Sequence, residues 1–219
     1  MMSKQYAVIG MGRFGSSVAL SLFKEGNEVL AIDKREENIE NNQDSVTHAI
    51  IGDTTDEQTL KEVGIRNFDT VIVAIGDDIQ ASILTVLLLK ELGVKHVVAK
   101  AVNKSHGKVL NKVGADRVIY PEKDMGERVA NLLMASPNVL NFIELAEDYS
   151  MEEIKVPESM NGQNLRNLNL RANYNITVIA IKNSDKMDIL PNPERALNSG
   201  DIMIVIGGNE DLQKFSEID

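Results

Sequence analysis

Tyr6-Ala7-Val8-Ile9-Gly10-Met11-Gly12-Arg13-Phe14-Gly15 joins a short apolar run to a G-x-G-x-x-G loop, and a helical pattern over residues 16–24 follows directly. A strand that passes through such a loop into a helix is the setting in which the three glycines have a physical task. Gly10 permits the tight turn, Gly12 lets a phosphate approach the backbone, and Gly15 lets helix and strand pack closely. The unpaired N–H groups of the first helical turn then face the negative charge. Asp33 ends the next apolar run, residues 29–33, and lies 23 residues after Gly10. A carboxylate there accepts hydrogen bonds from ribose hydroxyls and repels a 2′-phosphate, so NAD(H), ATP or ADP suits it better than NADP. The glycine loop alone would also fit a tight turn that binds nothing; here strand, glycines, helix and acid agree.

Working outward, strands are expected over residues 6–10, 29–33, 47–51, 70–75, 96–100 and 117–120. Helices are expected over 16–24, 57–63, 79–92 and 105–113. Most of the strand segments are continuous apolar runs, the pattern of strands covered on both faces. Gly26, Gly64, Gly93 and Gly114 each follow a helix and precede a strand, where a left-handed C-cap is wanted. Alternating strands and helices with right-handed crossovers give an α/β, Rossmann-like doubly wound parallel sheet.

The architecture changes further on. All five prolines, Pro121, Pro137, Pro157, Pro191 and Pro193, lie at or beyond 121, and Ala135-Ser136-Pro137-Asn138 is the expected joint between domains 1–135 and 136–219. Strands over 150–156, 176–182, 186–190 and 202–206, a short helix over 163–170 and a closing helix over 211–218 make the second part a small α+β domain. Asn183-Ser184-Asp185 and Asn198-Ser199-Gly200-Asp201 supply its turns.

Composition excludes several functions. With no Cys and three His, disulfides and thiol nucleophiles are ruled out and a metal site has few ligands to draw on. The net charge is −10, so a nucleic-acid partner, which needs clustered Lys and Arg, is not expected. The most apolar run, residues 83–89, is too short to span a bilayer, for which about 20 residues are needed. Met1-Met2-Ser3-Lys4 has no signal-peptide core, so a soluble cytoplasmic protein is expected.

Other residues fall at the carboxyl edge of the expected sheet, where such folds bind ligands. Gly52-Asp53-Thr54-Thr55 and Gly76-Asp77-Asp78 would border the adenosine end, although Asp and Thr also serve as ordinary helix caps. Arg13, inside the loop, could reach a phosphate with its planar fork of donors, and Lys100 could meet phosphates from the end of the fifth strand. For Arg13 the phosphate reading is the stronger one against a solvated surface arginine, whereas Lys100 could equally be a surface lysine. Pro121 and Glu122 read first as a helix start. The helix they open carries Met125, Val129, Leu132 and Leu133 on one face, to pack on its own sheet or on a partner chain.

Taken with Val73-Ala74-Ile75-Gly76, Gln80-Ala81-Ser82, Lys100-Ala101 and Gly114-Ala115-Asp116-Arg117-Val118-Ile119-Tyr120-Pro121-Glu122, the opening motif resembles the RCK (KTN) cytosolic regulatory subunits of Ktr and Trk potassium uptake systems over nearly the whole chain. That resemblance implies ATP or ADP, sometimes NAD(H), held by Gly10, Gly12, Arg13, Phe14, Gly15, Asp33, Lys34, Asp53, Thr54, Ala74, Ile75, Gly76, Lys100 and Glu122. Arg13 would meet the terminal phosphates, Asp33 the ribose, and Glu122 a divalent cation, Mg or Ca. It further implies a homodimer assembling into an octameric ring beneath a membrane-embedded potassium channel subunit, peripheral to the inner face of the membrane. The C-terminal domain is expected to bind cyclic di-AMP, an inhibitory signal, through Arg171, Asn175, Ile176, Thr177 and Pro191. Residues 136–219 hold 7 basic and 14 acidic side chains, so a site for an anion there must gather its basic residues locally.

A nicotinamide-dependent dehydrogenase is the alternative from another class, because this fold hosts many. It would need a substrate domain and a general acid or base, and His48, His96 and His106 have no evident carboxylate partner in the sequence. Catalysis is therefore not expected. A stand-alone nucleotide sensor with no membrane partner is a further alternative.

Overall fold

The computed structural model describes residues 3–184 and 186–218. Met1, Met2 and Asp185, on which parts of the leader and hairpin expectations fall, lie outside the described residues. The chain divides into two compact units, 1–124 and 125–219.

The first unit alternates β1 (Gln5–Ile9), α1 (Arg13–Lys24), β2 (Glu28–Asp33), α2 (Glu36–Glu40), β3 (His48–Ile51), α3 (Glu57–Glu62), β4 (Thr70–Val73), α4 (Ile79–Glu91), β5 (Val97–Lys100), α5 (Lys104–Lys112) and β6 (Arg117–Ile119). Its strands form one sheet in the order β3-β2-β1-β4-β5-β6, every pair parallel. This is the doubly wound order, with its switch point between β1 and β4. Both faces are covered: Ala7, Ile9, Leu30 and Ile32 face one core, and Val8, Val29, Ala31 and Ile72 face the other. Burial on both sides is why these strands read as continuous apolar runs.

Helix starts are written into the sequence. Asp56, Asp78 and Asn103 accept backbone N–H groups at the beginnings of α3, α4 and α5, and the four expected C-cap glycines all have positive φ. Gly107, in the middle of α5, is a socket: a Cβ there would lie 1.9 Å from the Tyr120 hydroxyl oxygen.

In chain order α6 (Pro121–Met134) follows, and the division between units falls inside it, ahead of the joint expected at 135–138. The helix runs on without a break and buries none of its residues, so neither turn chemistry nor a change of hydrophobic pattern marks the place where the chain leaves the first sheet. Met125, Val129 and Leu133 are exposed on it, and Leu132 is half-buried.

The second unit contains β7 (Val139–Ala146), β8 (Tyr149–Lys155), α7 (Leu165–Leu168), α8 (Leu170–Tyr174), β9 (Thr177–Lys182), β10 (Met187–Ile189), β11 (Ile202–Gly208) and α9 (Asn209–Ser216). Its antiparallel sheet has the order β10-β9-β11-β8-β7. Ile154, Ile176, Ile181, Met203, Val205, Leu212 and Phe215 fill its core. The helix expected over 163–170 is shortened to α7, which ends where Asn169 takes φ 42°, and α8 follows from Leu170. β7 was not expected; it is an edge strand with two register shifts against β8.

Candidate functional site: an uncapped helix at the glycine loop

β1 delivers the chain into the loop, and each glycine has a measurable role. Gly10 has φ +91°, and its N–H donates to the Ile32 carbonyl at 2.8 Å. A Cβ on Gly15 would sit 1.9 Å from the Gly10 oxygen, so helix and loop touch backbone to backbone. At Gly12 a Cβ would meet nothing within 4 Å. Gly12 is also the N-cap of α1, has no side chain to cap it, and is followed by a first turn with no acidic residue. Unlike α3, α4 and α5, this helix therefore presents bare N–H groups, beside open space, with Arg13 in its first turn. A cation at a helix N-terminus is disfavoured by the macrodipole until an anion arrives.

Asp33 is buried at the end of β2, and its carboxylate is already organised. Oδ2 accepts from the Met11 N–H at 2.7 Å and from Asn38 Nδ2 at 2.8 Å, and Oδ1 accepts from the Arg35 N–H at 2.8 Å. It thus holds the glycine loop in shape, and its remaining acceptor capacity is what a ribose hydroxyl would use.

Across the switch point lies the charged part of the site. Lys100, at the end of β5 and nearly buried, donates to Glu122 Oε1 at 2.5 Å, and its Nζ lies 5.7 Å from the centre of the Phe14 ring. A Cβ at Gly76 would come within 3.3 Å of the same Nζ, so Gly76 leaves room for this lysine. The hydrogen bond from Lys100, helped by the charges of Lys100 and Arg13, holds the Glu122 carboxyl below the usual range despite the opposing effect of burial. Among the described residues no group of three or more His, Cys, Asp or Glu gathers around a possible metal position. Glu122 would hold a cation only jointly with oxygens brought by the ligand or another copy.

Two lining residues behave differently from expectation. Thr54 is buried, and its hydroxyl lies 2.9 Å from that of Thr85 in the interior, so its polar group is spent beneath the site. Asp53 is exposed but turns on itself, accepting from the Thr55 hydroxyl at 2.7 Å and the Thr55 N–H at 2.9 Å, contacts that lower its pKa. Ala74 and Ile75 follow β4 against the loop: the Ala74 N–H donates to the Ile9 carbonyl at 2.7 Å, and the Ile75 nitrogen lies 3.0 Å from where a Gly10 Cβ would be. Lys34 and Arg35 after β2 reach Asp78 and Asp77, at 3.7 and 3.5 Å.

In the second unit, Arg171, Asn175 and Thr177 are exposed along the passage from α8 to β9. Asn175 has φ 55°, and its Nδ2 donates to Asp211 Oδ2 at 2.8 Å. The expected adenine contacts from Ile176 and Pro191 need correction. Ile176 is 1% exposed and belongs to the core, where it packs against Gly207, and Pro191 is buried as well. The left-handed turn at Asn175 rotates the next side chain inward.

Residues 6–121 match the TrkA-N domain and residues 151–218 the TrkA-C domain. The chain belongs to the TrkA family of RCK subunits. It is 46% identical over 216 residues to Ktr system potassium uptake protein C of Bacillus subtilis, covering 99% of this chain and 97% of that protein. Among solved structures, the GsuK channel bound to NAD superposes with a TM-score of 0.58 at 27% identity, over 98% of this chain and 38% of that one. GsuK bound to ADP superposes with a TM-score of 0.52 at 28% identity, over 59% of this chain and 34% of that one. The chain therefore spans less than half the length of these channel chains. Its relatives of similar length are named as Ktr system potassium uptake proteins, and no helix among the described residues is long and apolar enough to cross a membrane.

For this RCK subunit, the structure brings Gly10, Gly12, Arg13, Phe14, Gly15, Asp33, Ala74, Ile75, Gly76, Lys100 and Glu122 to one edge of the sheet. Sequence reasoning missed Asn38 and Arg35, which hold the Asp33 carboxylate. Their only trace is position, two and five residues beyond Asp33 at the start of a helix too short to stand out.

Proposed function

We propose that the chain is the nucleotide-binding gating subunit of a Ktr-type potassium uptake system, with ATP, ADP or NAD(H) bound at the N-terminus of α1. The observation that carries this is the uncapped first turn of α1, open above Gly12 and flanked by Arg13 and the Lys100–Glu122 pair. In this reading Arg13 meets the terminal phosphates and Asp33 the ribose, while Glu122, once Lys100 turns to a phosphate, takes a divalent cation together with phosphate oxygens. NAD and ADP bound to the GsuK relatives support a nucleotide of this class.

The rest of the proposal follows the family. The nucleotide domain is 1–135 and the ligand-binding and dimerisation domain 136–219. The apolar stripe on α6 lies against a second copy, dimers close into an octameric ring, and the ring sits at the cytoplasmic face of a membrane-embedded potassium channel subunit. Cyclic di-AMP, held near Arg171, Asn175 and Thr177, biases the pore toward its inactive state. Moving a pore from 1:99 to 99:1 takes about 5.5 kcal/mol of differential binding, so about eight coupled copies need supply only roughly 0.7 kcal/mol each. One altered phosphate contact is of that size.

Calorimetry of the purified chain against ATP, ADP, NADH and cyclic di-AMP tests this. Binding of ATP and ADP is expected, with Arg13→Ala abolishing discrimination between them; an unchanged affinity ratio in the variant, or steady turnover of a nicotinamide substrate, would contradict the proposal.

A further inference from the structure

We propose that the ion pairs Lys34–Asp78 and Arg35–Asp77 form a salt-sensitive strap across the adenosine side of the crevice, so that rising ionic strength opens the site to the nucleoside moiety. The inference rests on the reading of that crevice as a nucleotide site.

Topology puts the strap there. β2 and β4 flank β1 in a parallel sheet, so the segments that follow them emerge at the same edge, on either side of the glycine loop. Lys34 and Arg35 come from one segment, Asp77 and Asp78 from the other, and the pairs join them over the end of β1 at 3.7 and 3.5 Å. Both ends are anchored. The Arg35 N–H is tied to Asp33 Oδ1 at 2.8 Å, and Asp78 Oδ1 accepts the Ala81 N–H of α4 at 2.9 Å. The pairing groups themselves are 43–64% exposed. Exposed pairs at such separations are weak and yield to salt, because the screening length falls from about 30 Å at 0.01 M to about 3 Å at 1 M.

The physical signature is a difference in sign. Phosphates held by Arg13 and the α1 N-terminus must lose affinity as salt rises, whereas an uncharged nucleoside that has to part the strap must gain it.

Adenosine and ADP are titrated calorimetrically into the full chain at about 0.05 M and about 0.5 M NaCl, with the wild type and the Asp77→Asn/Asp78→Asn double variant; Asn retains the α4 cap. For the wild type, adenosine affinity is expected to rise roughly two- to fivefold with salt. The variant should bind adenosine at the higher level at both salt concentrations. A flat or falling adenosine affinity in the wild type, an unchanged salt slope in the variant, or binding of ADP with none of adenosine overturns the strap. Failure of both ligands to bind at either salt overturns the underlying nucleotide site.

Discussion

Replacing Gly12 or Gly15 by Ala adds the same methyl group three residues apart, and the structure assigns the two changes opposite consequences. At Gly15 the new Cβ would stand 1.9 Å from the Gly10 carbonyl oxygen, with the Ala74 Cβ at 3.2 Å on another side. The first turn of α1 must move by about 1 Å, an overpacking strain of about 1–3 kcal/mol. For a chain of this size that lowers the melting temperature by roughly 2–12 °C. At Gly12 no atom lies within 4 Å, and φ −70°, ψ −173° is backbone that Ala adopts freely. The expected stability cost is that of a poorer N-cap residue, under about 1 kcal/mol. Yet the methyl occupies the space through which a phosphate approaches the N–H groups, so ATP and ADP affinity should fall more than about tenfold, or 1.4 kcal/mol. Thermal melts and calorimetric titrations of both variants decide the matter. Wild-type affinity in Gly12→Ala would refute the phosphate path, and wild-type stability in Gly15→Ala would refute the backbone contact between α1 and its loop.

Three further outcomes follow from buried polar groups. His106 is 3% exposed, its Nδ1 accepts from the Val102 N–H at 3.4 Å, and its Nε2 has no partner among the described residues. Burial holds the imidazole below its ordinary 6.5. Between 6.5 and that lowered value the unfolded chain binds the proton first, so stability should drop by up to about 1.4 kcal/mol for each unit that the pH is lowered. Urea midpoints of His106→Gln should lose that dependence. Burial raises the Glu152 carboxyl above 4.5, and its Oε2 lacks a partner among the described residues. Its stabilising contribution is present below the ordinary value and lost as pH rises through the raised one. Glu152→Gln should therefore melt higher than the wild type at neutral pH, with the difference vanishing near pH 4. Thr54→Val strands the Thr85 hydroxyl and should cost about 1–3 kcal/mol in denaturant unfolding, most of it regained when Thr85→Val is added.

The nucleotide fold was legible because its signals are local. Apolar runs such as Val71-Ile72-Val73 are buried on both faces, Asp56, Asp78 and Asn103 cap helices, and glycines stand where φ is positive. The second unit was harder. β7 carries Asn141 and Glu144 among its apolar residues and slips register twice, so no period of two survives. In α2 only Ile39 is buried, too little for a helical pattern. Within the site, Lys100 and Glu122 could each be singled out, but their pairing joins the end of β5 to the start of α6 across 22 residues. The Asp33 carboxylate accepts two backbone N–H groups, Met11 and Arg35, and backbone donors leave no mark in a sequence. The Ile176 expectation failed because a stretch matched to a ligand segment says nothing of the turn at Asn175 that sends the side chain into the core.

The tyrosine seated over Gly107 has an evolutionary corollary. Any side chain at position 107 would need the space that the Tyr120 hydroxyl occupies, so the two sites should drift as a unit: lineages that acquire alanine at 107 should carry a shorter residue at 120, and those that keep the phenol should keep the glycine.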